Sequence, residues 1–536
     1  MKIFLLGAVS ALALATAAHA SDSTSNVTQS GASQNAVVQQ SAANSSTSEV
    51  VQSNANNDAF VTQAGADNLA AVNQSANGAY ADVNQDSGPD APTSNDPTNA
   101  AWVTQTGAST ADVDQDGEGN LTYVTQSGAG SNATVTQLNA NRPGPGMANR
   151  VQTAVVEQAA DGASASINQN GEGGYSVITQ SAAADGSIAS SVQFGEDNIS
   201  SINQTGPNNS ATVYQQSGPG IAGNGSYSYV DQSGSDNDAD VFQLGIGNQS
   251  YVMQNGTAGE VDVRQEGNGN FSTISQTAIG GSSVDVDQNG QNNYSEVYQA
   301  ATSSAVTVDQ DGTSNVSTVG QIAGASVVNV DQLGDGNYAQ VGQLTALGLV
   351  NVNQDGTANI ATVGQAGLGV VVNVDQNGDN NLSNTQEIAA AAAVAVDQDG
   401  DDNESQVGQL GFTALVGVTQ NGDRNYSSVG QASGLDFDAQ FSTVSVTQIG
   451  DDNLSSVLQG GLDQQAVVYQ DGDRNESAIL QTGADQYAAV LQTGDDNYSS
   501  VTQSGSLNMT FVNQMTNGNA SYVTQSGTGN FASVTQ

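Results

Sequence analysis

Glutamine returns along this chain at a fixed step, and that step restricts the fold more than any other feature. Each such Gln follows a Val or Ile by two positions: Gln52, Gln63, Gln74 and Gln85, then Gln105, Gln115, Gln126 and Gln137, and onward to Gln536. Most steps are eleven residues, and from Gln288 to Gln376 and from Gln448 to Gln536 none departs from eleven. A polar tract without structure has no reason to keep a count. The chain therefore reads as a repeat array rather than as a string of conventional globular domains.

Within a unit the frame is Q-x-G-x-x-N-x-[AS]-x-V-x-Q, seen in Gln420–Gln431 (QNGDRNYSSVGQ) and, with most of the filling exchanged, in Gln470–Gln481 (QDGDRNESAILQ). Asn425, Ser427, Val429 and Gln431 share one parity, and Tyr426, Ser428 and Gly430 share the other. Period two over six or seven residues describes a β-strand with two unlike faces. The preceding NGDR is a turn built around Gly. Turns alternate in kind: those after Gln288, Gln310, Gln332 and Gln354 keep Gly290, Gly312, Gly334 and Gly356 with Asn293, Asn315, Asn337 and Asn359, whereas those after Gln299, Gln343 and Gln365 lose the final Asn. The full repeat is thus 22 residues, two strands and two unlike turns.

Stacked repeats of this kind predict an all-β fold, a two-sheet β-solenoid (β-helix) with amyloid-like cross-β spacing. Each strand would pair with its equivalent one coil away at about 4.8 Å, giving roughly 22 coils over about 100 Å. Equivalent residues then form columns. The inward ladder is predicted to run through the Gln–Asn pairs above, Gln376, Gln398, Asn403, Gln409, Gln420, Asn425, Gln431, Gln448, Asn453, Gln459, Gln470, Asn475, Gln481, Gln492, Asn497, Gln503 and Gln536, with Val429 in the core column and Gly422 and Gly472 in further turns. An inward amide that bonds along its own column escapes the cost of about 1–3 kcal/mol for an unsatisfied buried polar group. Each buried Val or Ile adds about 1.5–3 kcal/mol.

The Gln-x4-Asn-x5-Gln spacing of Gln420–Asn425–Gln431 and Gln470–Asn475–Gln481 resembles the curlin repeat of curli fibre subunits. It recurs at Gln398–Asn403–Gln409, Gln448–Asn453–Gln459 and Gln492–Asn497–Gln503. The resemblance spans nearly the whole chain after the leader. It implies a secreted, amyloid-forming subunit of an extracellular fibre serving adhesion and biofilm matrix. It also implies an outer-membrane export pore and a curli-type nucleator as partners, with polymerisation by templated strand addition. The curli major subunit has about five repeats; this chain has several times more. Family members carry a pore-targeting segment after the leader, whereas here Val27-Thr28-Gln29 already looks like a repeat.

The opening MKIFLLGAVSALALATAAHA carries Lys2, an apolar run and the ending Ala18-His19-Ala20, the pattern of a secretory signal peptide cut before Ser21. It predicts passage through the periplasm to the cell surface, with no membrane-spanning segment in the mature form. Cleavage removes the only Lys and the only His, leaving five arginines against 53 acids. So negative a surface repels nucleic acid and anionic headgroups. Without cysteine, disulfides cannot hold the chain together.

Three regions are expected: the leader 1–20, a looser repeat region 21–220, and a regular solenoid 221–536. All seven prolines lie between Pro89 and Pro219, in long turns such as Asp86–Ala100 and Leu138–Arg150, and Pro cannot donate to a sheet ladder. The Gln step falls to ten between Gln376 and Gln386 and recovers with twelve to Gln398, which predicts a local slip or bulge. Six extra residues between Gln431 and Gln448, around GLDFDAQFS, predict a protruding loop.

Acidic turns concentrate carboxylate, Gly and Asn: Asp399, Asp401 and Asp402; Asp451 and Asp452; Asp471 and Asp473; Asp495 and Asp496. Ca²⁺ takes six to eight oxygens, and calcium β-rolls place aspartates in Gly-rich turns, so Asp399, Asp401, Asp402, Asp451, Asp452, Asp495 and Asp496 are candidate calcium ligands. The strict nonapeptide of those rolls is missing. The second reading makes these acids, Asp423 among them, solvated groups that oppose association until pH or cations neutralise them. No other cofactor is expected.

Nor is an enzyme expected: the mature chain lacks His, Lys and Cys, and its carboxylates recur periodically with no pair set apart. Two readings remain, a self-associating fibre subunit and a monomeric solenoid adhesin, Ca-stabilised or not. Ending on a VTQ unit at Gln536, with no polar cap, favours the fibre.

Overall fold

The computed structural model describes residues 12–18, 22–87, 99–138, 151–218, 225–277, 280–322, 324–432 and 441–536. The Pro-rich inserts (six of the seven prolines) and most of GLDFDAQFS fall outside them. Every regular element among the described residues is a β-strand of 5–10 residues. The chain divides into two compact units, Met1–Gln276 and Thr277–Gln536.

In the second unit the chain alternates between two parallel sheets. Ser283–Gln291 pairs with Ala305–Thr313 and that with Val327–Asp335 in the first sheet. Tyr294–Gln299 pairs with Val316–Gln321 and that with Tyr338–Ala346 in the second. Register is set Gln upon Gln, as in Gln288 with Gln310 and Gln299 with Gln321. The fold is the expected two-sheet β-solenoid. Burial alternates residue by residue along the strands, because one face looks at the facing sheet and the other at water.

The first unit repeats the plan: Asn35–Asn44, Asp58–Ala66 and Tyr80–Asp86 stack in one sheet, Thr24–Ala32, Thr47–Ala55 and Leu69–Gln74 in the other. Its coils vary in length. Successive column glutamines stand 22 apart at Gln52 and Gln74 but 31 at Gln74 and Gln105 and 32 at Gln126 and Gln158. The extra residues sit in the turns, and the strands still meet Gln to Gln. In the second unit the excess after Gln431 behaves alike: Gln431 pairs with Gln459, 28 residues on. Inside the expected leader, Leu12–Ala18 runs parallel to Asn35–Ser41.

The expected slip at Gln386 does not occur. Gln365 pairs with Glu387 and Glu387 with Gln409, so the eleven-residue count is kept and Gln386 points outward. Sliding the strand by one residue would have turned its whole inner face to water. Glu387 therefore takes the ladder position itself.

Candidate functional site: the stacked amide columns

Column glutamines use both amide hydrogens and the carbonyl. In the first sheet of the second unit, each Nε2 donates to Oε1 one coil on, from Gln288 through Gln310, Gln332, Gln354, Gln376, Gln398 and Gln420 to Gln448, at 2.7–2.9 Å. Gln448, Gln470, Gln492, Gln514 and Gln536 continue it at 2.9 Å. The second hydrogen reaches a main-chain carbonyl on the other sheet, as Gln310 does to Tyr294 at 3.1 Å. The second sheet carries its own column: Gln409 to Gln431 at 2.7 Å, Gln431 to Gln459 at 2.7 Å, Gln459 to Gln481 and Gln481 to Gln503 at 2.8 Å. An amide both donates and accepts along one axis, so the column extends without a leftover group, and the cross-bond ties the two sheets.

Asparagines work differently. Asn293 Oδ1 accepts the backbone N–H of Asn315 at 3.0 Å, while its Nδ2 donates to the Gly312 carbonyl of the next turn at 3.1 Å. Asn337, Asn359, Asn403, Asn425, Asn453, Asn475 and Asn497 repeat the side-chain-to-backbone bond. From Asn403 onward neighbouring side chains also bond to each other, as Asn425 Nδ2 does to Asn403 Oδ1 at 3.1 Å. Glutamines missed at the sequence level serve the opposite turns: Gln464 and Gln486 donate to Gly483 and Gly505 carbonyls at 3.2 and 3.0 Å. Their place just before a strand was the available signal.

Turn glycines stack in line, Gly290, Gly312, Gly334 and Gly356 on one another, Gly422 on Gly450 and Gly450 on Gly472. A Cβ on Gly312, at φ +133°, would lie 1.9 Å from the Gly334 carbonyl oxygen. Only glycine lets successive turns approach so closely. The inward set Asn425, Ser427, Val429 and Gln431 is buried, whereas Tyr426 is half-buried. Ser427 belongs to a serine column whose hydroxyls, like those of Ser405 and Ser455, are buried without a hydrogen bond and serve as small fillers.

The acidic turns have work of their own. Asp401 Oδ1 accepts the Asp379 N–H at 2.9 Å, Asp423 that of Asp401 at 3.0 Å, Asp451 that of Asp423 at 3.0 Å, and Asp495 that of Asp473 at 3.1 Å. Asp399 accepts from Asn377 at 3.2 Å. The next position stacks Asp402, Arg424, Asp452, Arg474 and Asp496, all left-handed. Arg424 chelates Asp452 at 2.7 and 3.1 Å, and Arg474 chelates Asp496 in the same geometry. Those bonds hold both carboxyls below the ordinary value. Among the described residues no three His, Cys, Asp or Glu side chains gather as a metal shell.

On the outer face of the first sheet, Asp287, Asp309 and Asp331 stand in register. With Asp311, Asp355, Asn289, Leu333 and Asn353 they line an open groove. Partial desolvation, then neighbouring acids, raises the Asp309 and Asp331 pKa values.

Periodic amides and carboxylates build a rigid stack and set no acid–base pair apart, as in a structural protein. No curated protein matches the chain. Three segments, 108–138, 281–312 and 472–505, match the family model of the curlin associated repeat. The last two contain the Gln288–Gln310 and Gln481–Gln503 steps of the columns described above, so these segments of the chain are similar to curlin associated repeats.

Proposed function

We propose that this protein is a secreted subunit that assembles into extracellular curli-like amyloid fibres supporting adhesion and biofilm matrix. The leader would direct export, and a curli-type nucleator and outer-membrane pore would be its partners. One observation carries the reading: along the first-sheet column of the second unit the coil-to-coil contact repeats step after step, a Gln amide donating to the next Gln while parallel backbone bonds keep register. A coil from a second copy can make that contact as well as the next coil of the same chain.

Electron microscopy and fibre diffraction of the purified mature chain test it. Unbranched fibres with a reflection at about 4.8 Å along the axis are expected. Monomers that persist for days at high concentration would reject the fibre and leave the monomeric adhesin.

A further inference from the structure

One residue interrupts a glutamine column from within. Glu387 holds the ladder position between Gln365 and Gln409 and is 1 % exposed, the only carboxylate among the buried side chains of the described residues. The column has a direction: Gln343 donates to Gln365 Oε1 at 2.9 Å, and Gln409 donates to Gln431 Oε1 at 2.7 Å. Between them the relay stops. Gln365 Nε2, both Glu387 carboxyl oxygens and Gln409 Oε1 are buried without a hydrogen bond.

An ionised carboxylate only accepts, so it would set its oxygen against Gln409 Oε1. A neutral carboxylic acid has the polarity of the amide it replaces, a C=O to accept from Gln365 and an O–H to give to Gln409. The Gln365 amide favours the anion, but more weakly than burial opposes it. The adjacent strands present Gln365 and Gln409, and Glu404 lies at the outer start of one of them. The first-sheet strands before and after it in the chain turn Val372, Val374, Gln376, Val394, Val396 and Gln398 inward, and Asp375, Asp397 and Asp399 outward. Thr385, where other coils have Val or Ile, shares its face.

We propose that Glu387 is carried as a neutral acid that completes the glutamine ladder, and that its ionisation in alkali opens the column at this coil. Glu387 is a proton-binding site inside the stack and makes one coil the break point. Burial pushes its pKa up to about 8, with Gln365 opposing more weakly. An unfolded Glu titrates near 4.3. With the folded value raised, the acid's contribution is complete below about 4.3, declines as pH rises, and is gone above about 8.

Hydrogen exchange of the full mature chain, native against E387Q at matched pH, tests this. Protection of amides in 360–412 is expected to fall in the native chain relative to E387Q by up to about tenfold per pH unit in that window, then level off. A ratio independent of pH overturns the proposal. Native infrared spectra provide a readout that does not depend on the variant folding: a protonated-carboxyl band at pH 7 that bleaches near pH 8 is expected, and its absence from the native protein overturns the proposal. Restored protection at pH 9 on adding Na⁺, K⁺ or Ca²⁺, in the native chain alone, would make the site a metal site and overturn the proton assignment.

Discussion

The two units share one hydrogen-bond frame and differ in what fills it. Four residues before the first-sheet column Gln, the first unit places Ala36, Ala59, Ala81, Ala111, Ala133 and further alanines to Ala239, with Val261 in its last coil, while the second places Val284, Val306, Val328, Val350 and further valines to Val444 before returning to Ala466, Ala488 and Thr510. All are buried. Two methyl groups per coil, at about 0.8 kcal/mol each, give each valine-filled coil an advantage of about 1.6 kcal/mol. The first unit also spaces its coils unevenly, and no Gly-on-Gly turn stack as long as that from Gly290 to Gly378 is described in it. The first-sheet amide columns run on alike in both, from Gln40 to Gln63 to Gln85 as from Gln310 to Gln332 to Gln354. Register is therefore a matter of amides, and strength a matter of methyl groups and turns.

The largest losses are expected from substitutions in the core of the second unit. Replacing Val429, Val468 and Val490 by Asp buries carboxylates without partners. Each substitution is expected to cost more than about 4 kcal/mol, unfolding their coils and preventing assembly. Protease sensitivity and thioflavin-T kinetics would show it, while substitutions at half-buried Tyr426 or exposed Glu476 leave both unchanged. Next in size is G312A, whose Cβ meets a neighbouring carbonyl at 1.9 Å, with an expected loss of about 3 kcal/mol. Hydrogen exchange should place that loss in the turns on either side.

Smaller effects sharpen the contrast. V328A gives one coil of the second unit the filling of the first and should lower stability by about 1.6 kcal/mol in denaturant titrations, with amide protection retained at Gln332. An unchanged midpoint would mean that methyl volume is not what separates the units. The gentlest lever is pH. Burial and then neighbouring acids raise Asp309, Asp331 and Asp397 in the second unit, and burial raises Asp82, Asp114 and Asp240 in the first. Folded values above unfolded ones mean stability rises as pH falls from 7 toward 4, more in the second unit, where Asp309 is ringed by four acids. Fibres should form faster near pH 4, or with millimolar Ca²⁺, than at pH 7.5 in chelator. Equal thioflavin-T kinetics would remove the acids from any control of assembly.

Some details eluded the sequence for a physical reason. Gln386 follows the usual Gln step nearly as well as Glu387 does, and residue type pointed to the wrong one. Hydrogen bonds from strands 22 residues away on either side decided it. Asp423 looked like a solvated charge because its partners, the N–H of Asp401 and the Oδ1 of Asp451, stand 22 and 28 residues distant. Arg424 and Asp452 likewise meet only across coils.

Period is a local property: two-residue alternation and an eleven-residue count fix strand, turn and coil wherever they are read, and those the sequence determined by itself. Which atom receives each amide hydrogen depends on the coil stacked above, so only the tertiary structure could decide it. That stack sends one glutamine hydrogen along the column and the other across to the facing sheet, diverts asparagine to backbone, and leaves Glu387 in a place built for an amide.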